Sequence, residues 1–239
     1  MTSEQFKVEK FSDVGTGNPF VARIGPGLIQ ILEATSFKNR NEINDAIFTV
    51  LFDGLVPAFI SLREIRKIES GEVEKIIINL NKHYFNLFNH LWVAYKDRMP
   101  KVTELLGFDI GFLFQNEKNF NEGVEKFLSS KGDLPGIDVN FTDMLGDERR
   151  TWQNILGEIR NNYLEHKKVE DKEVQKHFNL ETAEAVFNNC WQAIEDILVI
   201  LLRTGLPLYA GIDIVEIPLE KRDPSIPKRF QFISTKPIP

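Results

Sequence analysis

The sequence predicts an all-α protein, a multi-helix bundle with minor β structure at the N- and C-termini. Three observations predict it. Long segments repeat apolar residues every three or four positions, which is the spacing of one helix face. The composition, 42% hydrophobic and 27% charged residues, is that of an ordinary globular protein. Short apolar runs bounded by glycine and proline, which are typical of strands, occur near the two ends of the chain.

Length and local composition suggest how the chain is organised. Its 239 residues suffice for one large domain with a small appendage. We predict an N-terminal strand and loop segment over residues 1–27, a helical domain over residues 28–205, and an extended hairpin or tail over residues 206–239. A loop rich in glycine, proline and aspartate near residues 129–140 is the best candidate for an internal boundary.

The composition also disfavours several classes of protein. The first residues lack the basic segment and apolar core of a secretory signal, and no membrane-length apolar run is expected, so we predict a cytoplasmic protein without a membrane partner. Cys190 is the one cysteine, which excludes an internal disulfide and a cysteine-rich zinc site, and we expect its thiol to be buried. Because the net charge is -6, contact with nucleic acid would need a local basic patch. We expect no cofactor and no metal ion.

The first helices are predicted within residues 28–68. One or two helical turns are expected over residues 28–34, after a segment whose glycines and prolines indicate loops. A longer helix is expected over residues 42–52, and we expect Pro57 to kink or end it. The helical pattern resumes over residues 59–68.

The next helix is predicted to be a long element of the core. We expect Ser70 to cap it, and its apolar residues keep helical spacing until Pro100 stops it. His83 and His90 lie on its flank, roughly 10 Å apart along the axis, which is too far to bind one metal ion, so we expect both to be partly buried. A shorter helix is expected over residues 116–128.

A helix that includes residues 152–166 follows the predicted boundary loop. Its apolar stripe recurs at intervals of three and four, on Trp152, Ile155, Leu156, Ile159 and Tyr163. We expect this helix to start at Thr142 or Asp143. Asp147 and Glu148 would then be acids near its N-terminus, where the helix dipole favours negative charge.

The chain ends with a long helix and a predicted hairpin. We expect Asn179 to cap the helix, whose apolar stripe is uninterrupted until Gly205 and Pro207 end it. Beyond them the apolar period changes. Residues 212–220 and 229–234 are predicted to form two extended strands joined by a proline-containing turn.

The stretch most informative about function is Arg160-Asn161-Asn162 followed by His166. In a continuous helix Arg160 and His166 lie roughly 120° apart around the axis and roughly 9 Å apart along it, a gap that a long arginine side chain largely spans. Arginine orients a phosphate through its planar fork, and histidine moves a proton to or from a ribose 2′-hydroxyl. Because a single histidine cannot easily be acid and base at once, a twofold partner that supplies a second Arg-His pair is attractive.

RNNYLEH, residues 160–166, resembles the Arg-x(4-6)-His signature of the HEPN superfamily of all-helical domains. The resemblance covers the motif, the long helices on either side of it and the all-α prediction for roughly residues 28–205. It implies metal-independent cleavage of RNA by a homodimer, in defence or stress response, with an antitoxin or another partner protein. It further implies that Arg160 binds and polarises the scissile phosphate, that His166 is the acid-base group and that Asn161 orients one of them. Asn162 and Tyr163 would be supporting residues.

Other interpretations of the same residues stay open. Arg160 can pair with Glu158 or Glu165 while His166 is hydrogen-bonded in the core, in which case the protein is a non-catalytic helical module that dimerises or binds a partner. An enzyme acting on a free nucleotide is a third interpretation, and it requires a deep pocket. His177, ahead of the last helix, is either a second titratable group near the site or an exposed loop residue. Whether Arg160 and His166 face an open cleft distinguishes these interpretations.

Overall fold

The structure, a computed structural model, describes residues 40–132, 139–166, 175–205, 212–221 and 230–234. In these ranges the chain is predominantly helical, which confirms the predicted all-α class. The α-helices are α1 (Arg40–Thr49), α2 (Val56–Glu69), α3 (Ile77–Trp92), α4 (Met99–Leu105), α5 (Glu117–Lys131), α6 (Val139–Glu148), α7 (Asn154–His166) and α8 (Leu180–Gly205). The predicted N-terminal strand, the helical turns over residues 28–34 and residues 133–138 of the predicted boundary loop lie outside the described residues.

Three π-helical turns join these helices into longer ones. The first turn is Val50–Leu55, the second is Val93–Arg98 and the third is Arg149–Gln153. The first joins α1 to α2, the second joins α3 to α4, and the third joins α6 to α7. Each π turn widens the helix by one residue, and such turns are frequent at functional sites.

The prediction that Pro100 stops a helix is wrong, and Pro57, which was expected to kink or end its helix, does not end it. A π turn precedes each of the two prolines. Pro57 and Pro100 lie in the first turn of α2 and α4, and the helix runs on past both. Just before them, Val56 donates its N–H to the Leu51 carbonyl and Met99 donates to the Ala94 carbonyl, five residues back. A proline ring clashes with the carbonyl four residues back, and we attribute the continuity of these helices to the wider hydrogen-bonding register.

The first two π turns pack against each other at Gly54. A Cβ atom added at Gly54 would lie 2.7 Å from the Cα and 2.8 Å from the nitrogen of Ala94, in addition to meeting its Cβ. Glycine is therefore required where the two long helices come closest. This contact fixes α1 and α2 against α3 and α4.

Helix α3 begins later than the sequence predicts. Ser70 follows the end of α2, and Gly71 has φ +82°, a left-handed conformation that favours glycine and ends a helix. The chain then continues without helix until Ile77. Val73 and Ile76, which the apolar pattern assigns to the helix, are 46% and 47% exposed.

Helix α5 and the α6–α7 helix follow. The Asn116 side chain accepts a hydrogen bond from the backbone of Asn119 at 3.0 Å and so caps α5. Helix α6 begins at Val139, a few residues before the predicted start at Thr142 or Asp143. The third π turn joins α6 to α7 in one continuous helix that ends at His166. The backbone therefore does not break at the Asn161-Asn162 pair.

The predicted cap and the predicted pair of C-terminal strands are confirmed, but the first strand ends at Glu216 rather than at residue 220, because Leu219–Lys221 forms a 3-10 turn. The Asn179 Oδ1 atom accepts a hydrogen bond from the Thr182 backbone at 2.8 Å and caps α8. Strands β1 (Ile212–Glu216) and β2 (Phe230–Ser234) pair antiparallel, with Ile214 opposite Phe232. The chain thus carries the expected hairpin after its last helix.

One apolar core occupies the space between the helices. Helix α3 lies at its centre and contacts α2, α7 and α8. The largest fully buried side chains are aromatic, among them Trp191, Tyr84, Tyr95, Phe88, Phe108 and Phe187. Cys190 is also fully buried, as predicted.

The first long helix is more apolar than the sequence analysis anticipated. By length and composition Asn41–Glu69 could cross a membrane, contrary to the expectation of no such run. In its most apolar window 56% is buried inside the protein. A core helix of a soluble protein passes the same test, and α2 packs directly against α3 and α8.

Candidate functional site

A surface cleft lies beside α7, between that helix, the second π turn and the 3-10 turn Gly111–Phe114. We call it the α7 cleft, and its volume is about 300 Å³. Aromatic side chains line one wall, from Trp92, Tyr95 and Phe114. The third π turn and α7 form another part of the lining, which carries three amide side chains together with charged and apolar ones: Arg149, Gln153, Asn154, Leu156, Glu158 and Asn161.

The aromatic wall is held rigidly by ring contacts. Tyr95 is 2% exposed and meets both Phe114 and Trp152 edge to face, with ring centroids 5.5 and 4.8 Å apart. Such contacts add stability beyond that of apolar burial alone. Because the second and third π turns carry Tyr95 and Trp152, these turns position the wall.

Arg160 contacts Trp92, which lines the α7 cleft. Its guanidinium carbon lies 4.8 Å from the centroid of the Trp92 ring, and the ammonium of Lys96 lies 4.4 Å from the same centroid. Both are cation–π contacts. Trp92 and Lys96 line the cleft directly, whereas the half-buried Arg160 lines a separate small cavity that includes Phe88.

The two cations at Trp92 make a local positive site in a protein of net charge -6. Burial, and after it the charge of Arg160, lowers the pKa of Lys96, while Asp97 opposes the shift. A lowered ammonium pKa means that the folded protein disfavours the positive charge there. An anion bound near Lys96 and Arg160 would relieve that cost.

Arg149 is the second cation that lines the cleft, after Lys96. Its guanidinium donates to the Gln115 carbonyl at 2.8 Å and lies 5.0 Å from the centroid of the Phe120 ring. These contacts tie the third π turn to the 3-10 turn and to α5. The lining of the cleft therefore contains two cations, Lys96 and Arg149, together with one carboxylate, Glu158.

A buried polar cluster lies behind the aromatic wall. The Tyr95 hydroxyl accepts from Gln153 Nε2 at 2.9 Å and is 3.4 Å from Glu148 Oε2, to which it donates. Burial raises the pKa of Glu148 to about 8, and the nearby charge of Asp196 adds to the shift. Burial, and then the charge of Glu148, also raises the pKa of Tyr95 and of Cys190.

The interpretation of Glu148 as an acid near a helix N-terminus is wrong. The helix begins at Val139, so Glu148 lies more than two turns inside a continuous helix and has left the region that the dipole influences. Burial is the main cause that raises the pKa of Glu148, and the hydrogen bond from Tyr95 opposes that shift.

Glu158 does not pair with Arg160, although it was one of the two partners predicted for that arginine; the side chain of the other, Glu165, lies outside the described part of the chain. The Glu158 Oε2 atom lies 3.0 Å from His177 Nε2 and 3.4 Å from Lys176 Nζ. The hydrogen bond with His177 is the main cause that lowers the pKa of Glu158. The His177 side chain is only 14% exposed and contacts α7, so it is not a freely exposed loop residue.

The structure describes part of the predicted Arg-His site. Arg160 lies against Trp92, and Asn161 is exposed and lines the α7 cleft. Asn162, Tyr163 and His166 belong to α7 by their backbone, but their side chains lie outside the described part of the chain. The distance between the Arg160 and His166 side chains therefore stays untested.

Sequence reasoning missed the residues that build the rest of the cleft. Tyr95 follows the helical period of the core stripe, so nothing marks it as a wall of a cleft. Lys96 lies four residues after Trp92, and this helical spacing of a cation and an aromatic ring was the available signal. Gln153 carries no pattern of its own, because the third π turn decides where it points.

Comparison with known proteins identifies no protein that is significantly similar to this chain. No protein-family model matches the chain, and neither a curated protein nor a solved structure shows significant similarity to it. Among the residues that the structure describes, no group of three or more His, Cys, Asp or Glu side chains could hold a metal ion. The chemistry of the α7 cleft must therefore be argued from its own rings, cations and amides.

Proposed function

We propose that this protein is a metal-independent endoribonuclease of HEPN-like architecture that acts as a homodimer. The observation that supports it best is the pair of cations, Arg160 and Lys96, held over Trp92 beside the α7 cleft. A phosphate bound there would be fixed by the arginine fork and screened by the lysine. Asn161, at the edge of the same cleft, would orient the phosphate or the arginine.

The proposed reaction divides the work between Arg160 and His166. His166 removes the proton of the ribose 2′-hydroxyl, whose oxygen attacks the adjacent phosphorus while the 5′-oxygen leaves with a proton. The products are a 2′,3′-cyclic phosphate and a free 5′-hydroxyl. Arg160 stabilises the charge that develops on the phosphoryl oxygens. The second subunit supplies the other acid-base group, since one histidine cannot readily perform both proton transfers at the same moment.

RNA cleavage with EDTA present tests this proposal. We expect the wild-type chain to cut a labelled structured RNA and to leave 2′,3′-cyclic phosphate ends. His166→Ala and Arg160→Ala should each reduce the rate by about 10²-fold or more, the usual loss when a charge-stabilising or proton-transferring group is removed. Circular dichroism must show that both variants keep the wild-type helix content.

Arg150→Ala is the matched control for loss of one positive charge. Arg150 lies on the same long helix as Arg160, is 59% exposed and pairs with Asp147 at 2.6 Å. We expect its removal to change the cleavage rate less than twofold. Equal trace cutting by wild type and the His166 variant, or no cutting of several RNAs, would reject the nuclease.

A second candidate function is a non-catalytic interaction module, and an exposed apolar surface favours it. Phe48 and Phe52 are 39% and 54% exposed, and their rings stack with centroids 5.9 Å apart. Ile60, further along the same long helix, is 44% exposed. Exposed apolar residues that follow one another along a helix are typical of a protein-binding surface.

A further inference from the structure

Helix α7 has a notch that faces the α7 cleft. Gln153, Gly157 and Asn161 follow each other at intervals of four residues and all line the cleft, so they form one row along the helix. Gly157 stands in the middle, roughly 6 Å along the axis from either neighbour. A Cβ atom added at Gly157 would meet no heavy atom within 4 Å, so the helix backbone is open to the cleft at this point.

The notch and the aromatic wall together suit a flat, partly polar ligand. The same cleft is lined by the aromatic side chains of Trp92, Tyr95 and Phe114 and by Lys96. At about 300 Å³ the cleft is at the lower limit of small-molecule sites. A double helix does not fit such a space, whereas one unpaired base does, and unpaired bases are what proteins usually read in RNA.

The hydrogen bonds among Gln153, Tyr95 and Glu148 determine which atom of the Gln153 carboxamide can bind a ligand in the cleft. Its Nε2 atom donates to the Tyr95 hydroxyl, and that hydroxyl in turn donates to Glu148. The carboxamide is thereby held in one orientation, and its Oε1 atom remains an acceptor. An acceptor fits a base with an exocyclic amino group, such as N6 of adenine or N4 of cytosine, and repels the O4 atom of uracil.

We propose that the α7 cleft binds one unpaired RNA base that carries an exocyclic amino group. The base inserts at Gly157, between the Gln153 and Asn161 side chains. Its exocyclic amino group donates a hydrogen bond to the Gln153 Oε1 atom. Its backbone phosphate lies toward Lys96 and Arg160. This inference rests on the proposed RNA substrate, and it adds a base preference that the Arg-His motif alone does not imply.

Binding of RNA analogues that cannot be cleaved tests the base site separately from the nuclease. The probes are fluorescein-labelled hexamers of 2′-O-methyl adenosine and 2′-O-methyl uridine, titrated with EDTA present and followed by fluorescence anisotropy. We expect the wild type to bind the adenosine hexamer about tenfold more tightly, the usual discrimination of one good amide–base contact.

Substitution of Gly157 fills the notch without removing any polar group. Because the position is open, Gly157→Leu should fold normally and should reduce the affinity for the adenosine hexamer to that for the uridine hexamer. Gly157→Ala should have an intermediate effect, and Arg150→Ala should keep the adenosine preference. Equal binding of the two hexamers by wild type, or an adenosine preference that survives Gly157→Leu, would overturn the base site.

The two proposals fail in different ways. If the hexamers bind as expected while cleavable RNA stays intact, the base site stands and the nuclease is rejected. If RNA is cut by the Arg160–His166 pair but without a preference that depends on Gly157, the nuclease stands and the base site is rejected.

Discussion

The carboxyl group of Glu148 has a higher pKa in the folded protein than in the unfolded chain. Its ordinary pKa is 4.5, and in the folded protein burial raises the pKa to about 8. Between these two values the folded chain keeps a proton that the unfolded chain releases, so stability falls as the pH rises. Asp196, Tyr95 and Cys190 face the same carboxyl from the neighbouring helices.

A pH series of unfolding measurements checks this consequence. From pH 5.5 to pH 8.5 we expect the wild type to lose roughly 1–3 kcal/mol of unfolding free energy through this group, at about 1.4 kcal/mol per unit of pKa shift with allowance for partial exposure. Glu148→Gln cannot ionise and should show a flatter profile. Identical profiles for the two proteins, measured by urea unfolding, would mean that Glu148 is already ionised in the folded state.

The elements of this fold depend on one close helix contact. Gly54 and Ala94 meet where the first two π turns cross, and the backbone of Ala94 leaves no room for a side chain at position 54. The π turns also let both long helices continue past their prolines. The arrangement of α1 to α4 thus depends on a residue that has no side chain.

Alanine substitutions at Gly54 and Gly157 distinguish the effect of close packing on stability from the effect of helix propensity. We expect Gly54→Ala to lower the free energy of unfolding by about 1–3 kcal/mol, the usual cost of overpacking a core. Gly157→Ala, in open space, should raise it by up to about 1 kcal/mol, because alanine is the better helix former. Urea unfolding followed by circular dichroism measures both.

The double variant Gly54→Ala with Ala94→Gly provides a further check. It removes the clash between side chains but leaves the Ala94 Cα and nitrogen 2.7 and 2.8 Å from the new Cβ atom, so it should restore stability only in part. A neutral Gly54→Ala would show that the two π turns lie further apart than described.

The whole molecule is proposed to work as a pair. Light scattering should give a mass of twice the 27.5 kDa of one chain, and activity per chain should fall when the protein is diluted below the dissociation constant of the dimer. These results follow if each active site needs two Arg160–His166 pairs. A monomer with undiminished activity on dilution would contradict the proposed homodimer.

The exposed apolar surface of the first long helix offers a competing interface. A double variant, Phe48→Ser with Phe52→Ser, removes the stacked pair, whose rings are already partly exposed. If the chains pair through the α7 region, the variant should stay dimeric by light scattering. A change to monomer would assign the interface to the first long helix and favour the interaction module over the nuclease.

Several features of this protein could be predicted from sequence because they are local. The faces of α5, α7 and α8 follow from the helical spacing of apolar residues, and the Asn179 cap follows from an amide side chain three residues before the N–H that it binds. The hairpin follows from a change of period after the last helix. Arg160 and Asn161 were also selected by a local motif, and Asn161 does line a cleft.

The remaining features depend on residues far apart in the chain. The late start of α3, the helices that pass their prolines and the raised pKa of Glu148 each involve packing that no local pattern records. Tyr95 is hydrogen-bonded to Glu148, which lies 53 residues further along the chain, and to Gln153, which lies 58 residues further along. By itself the sequence determined the all-α class and the inward faces of α5, α7 and α8, because backbone preference and apolar period act within a few turns. Only the tertiary structure decided where the rings, cations and amides meet, because that depends on the close approach of helices at a glycine and three π turns.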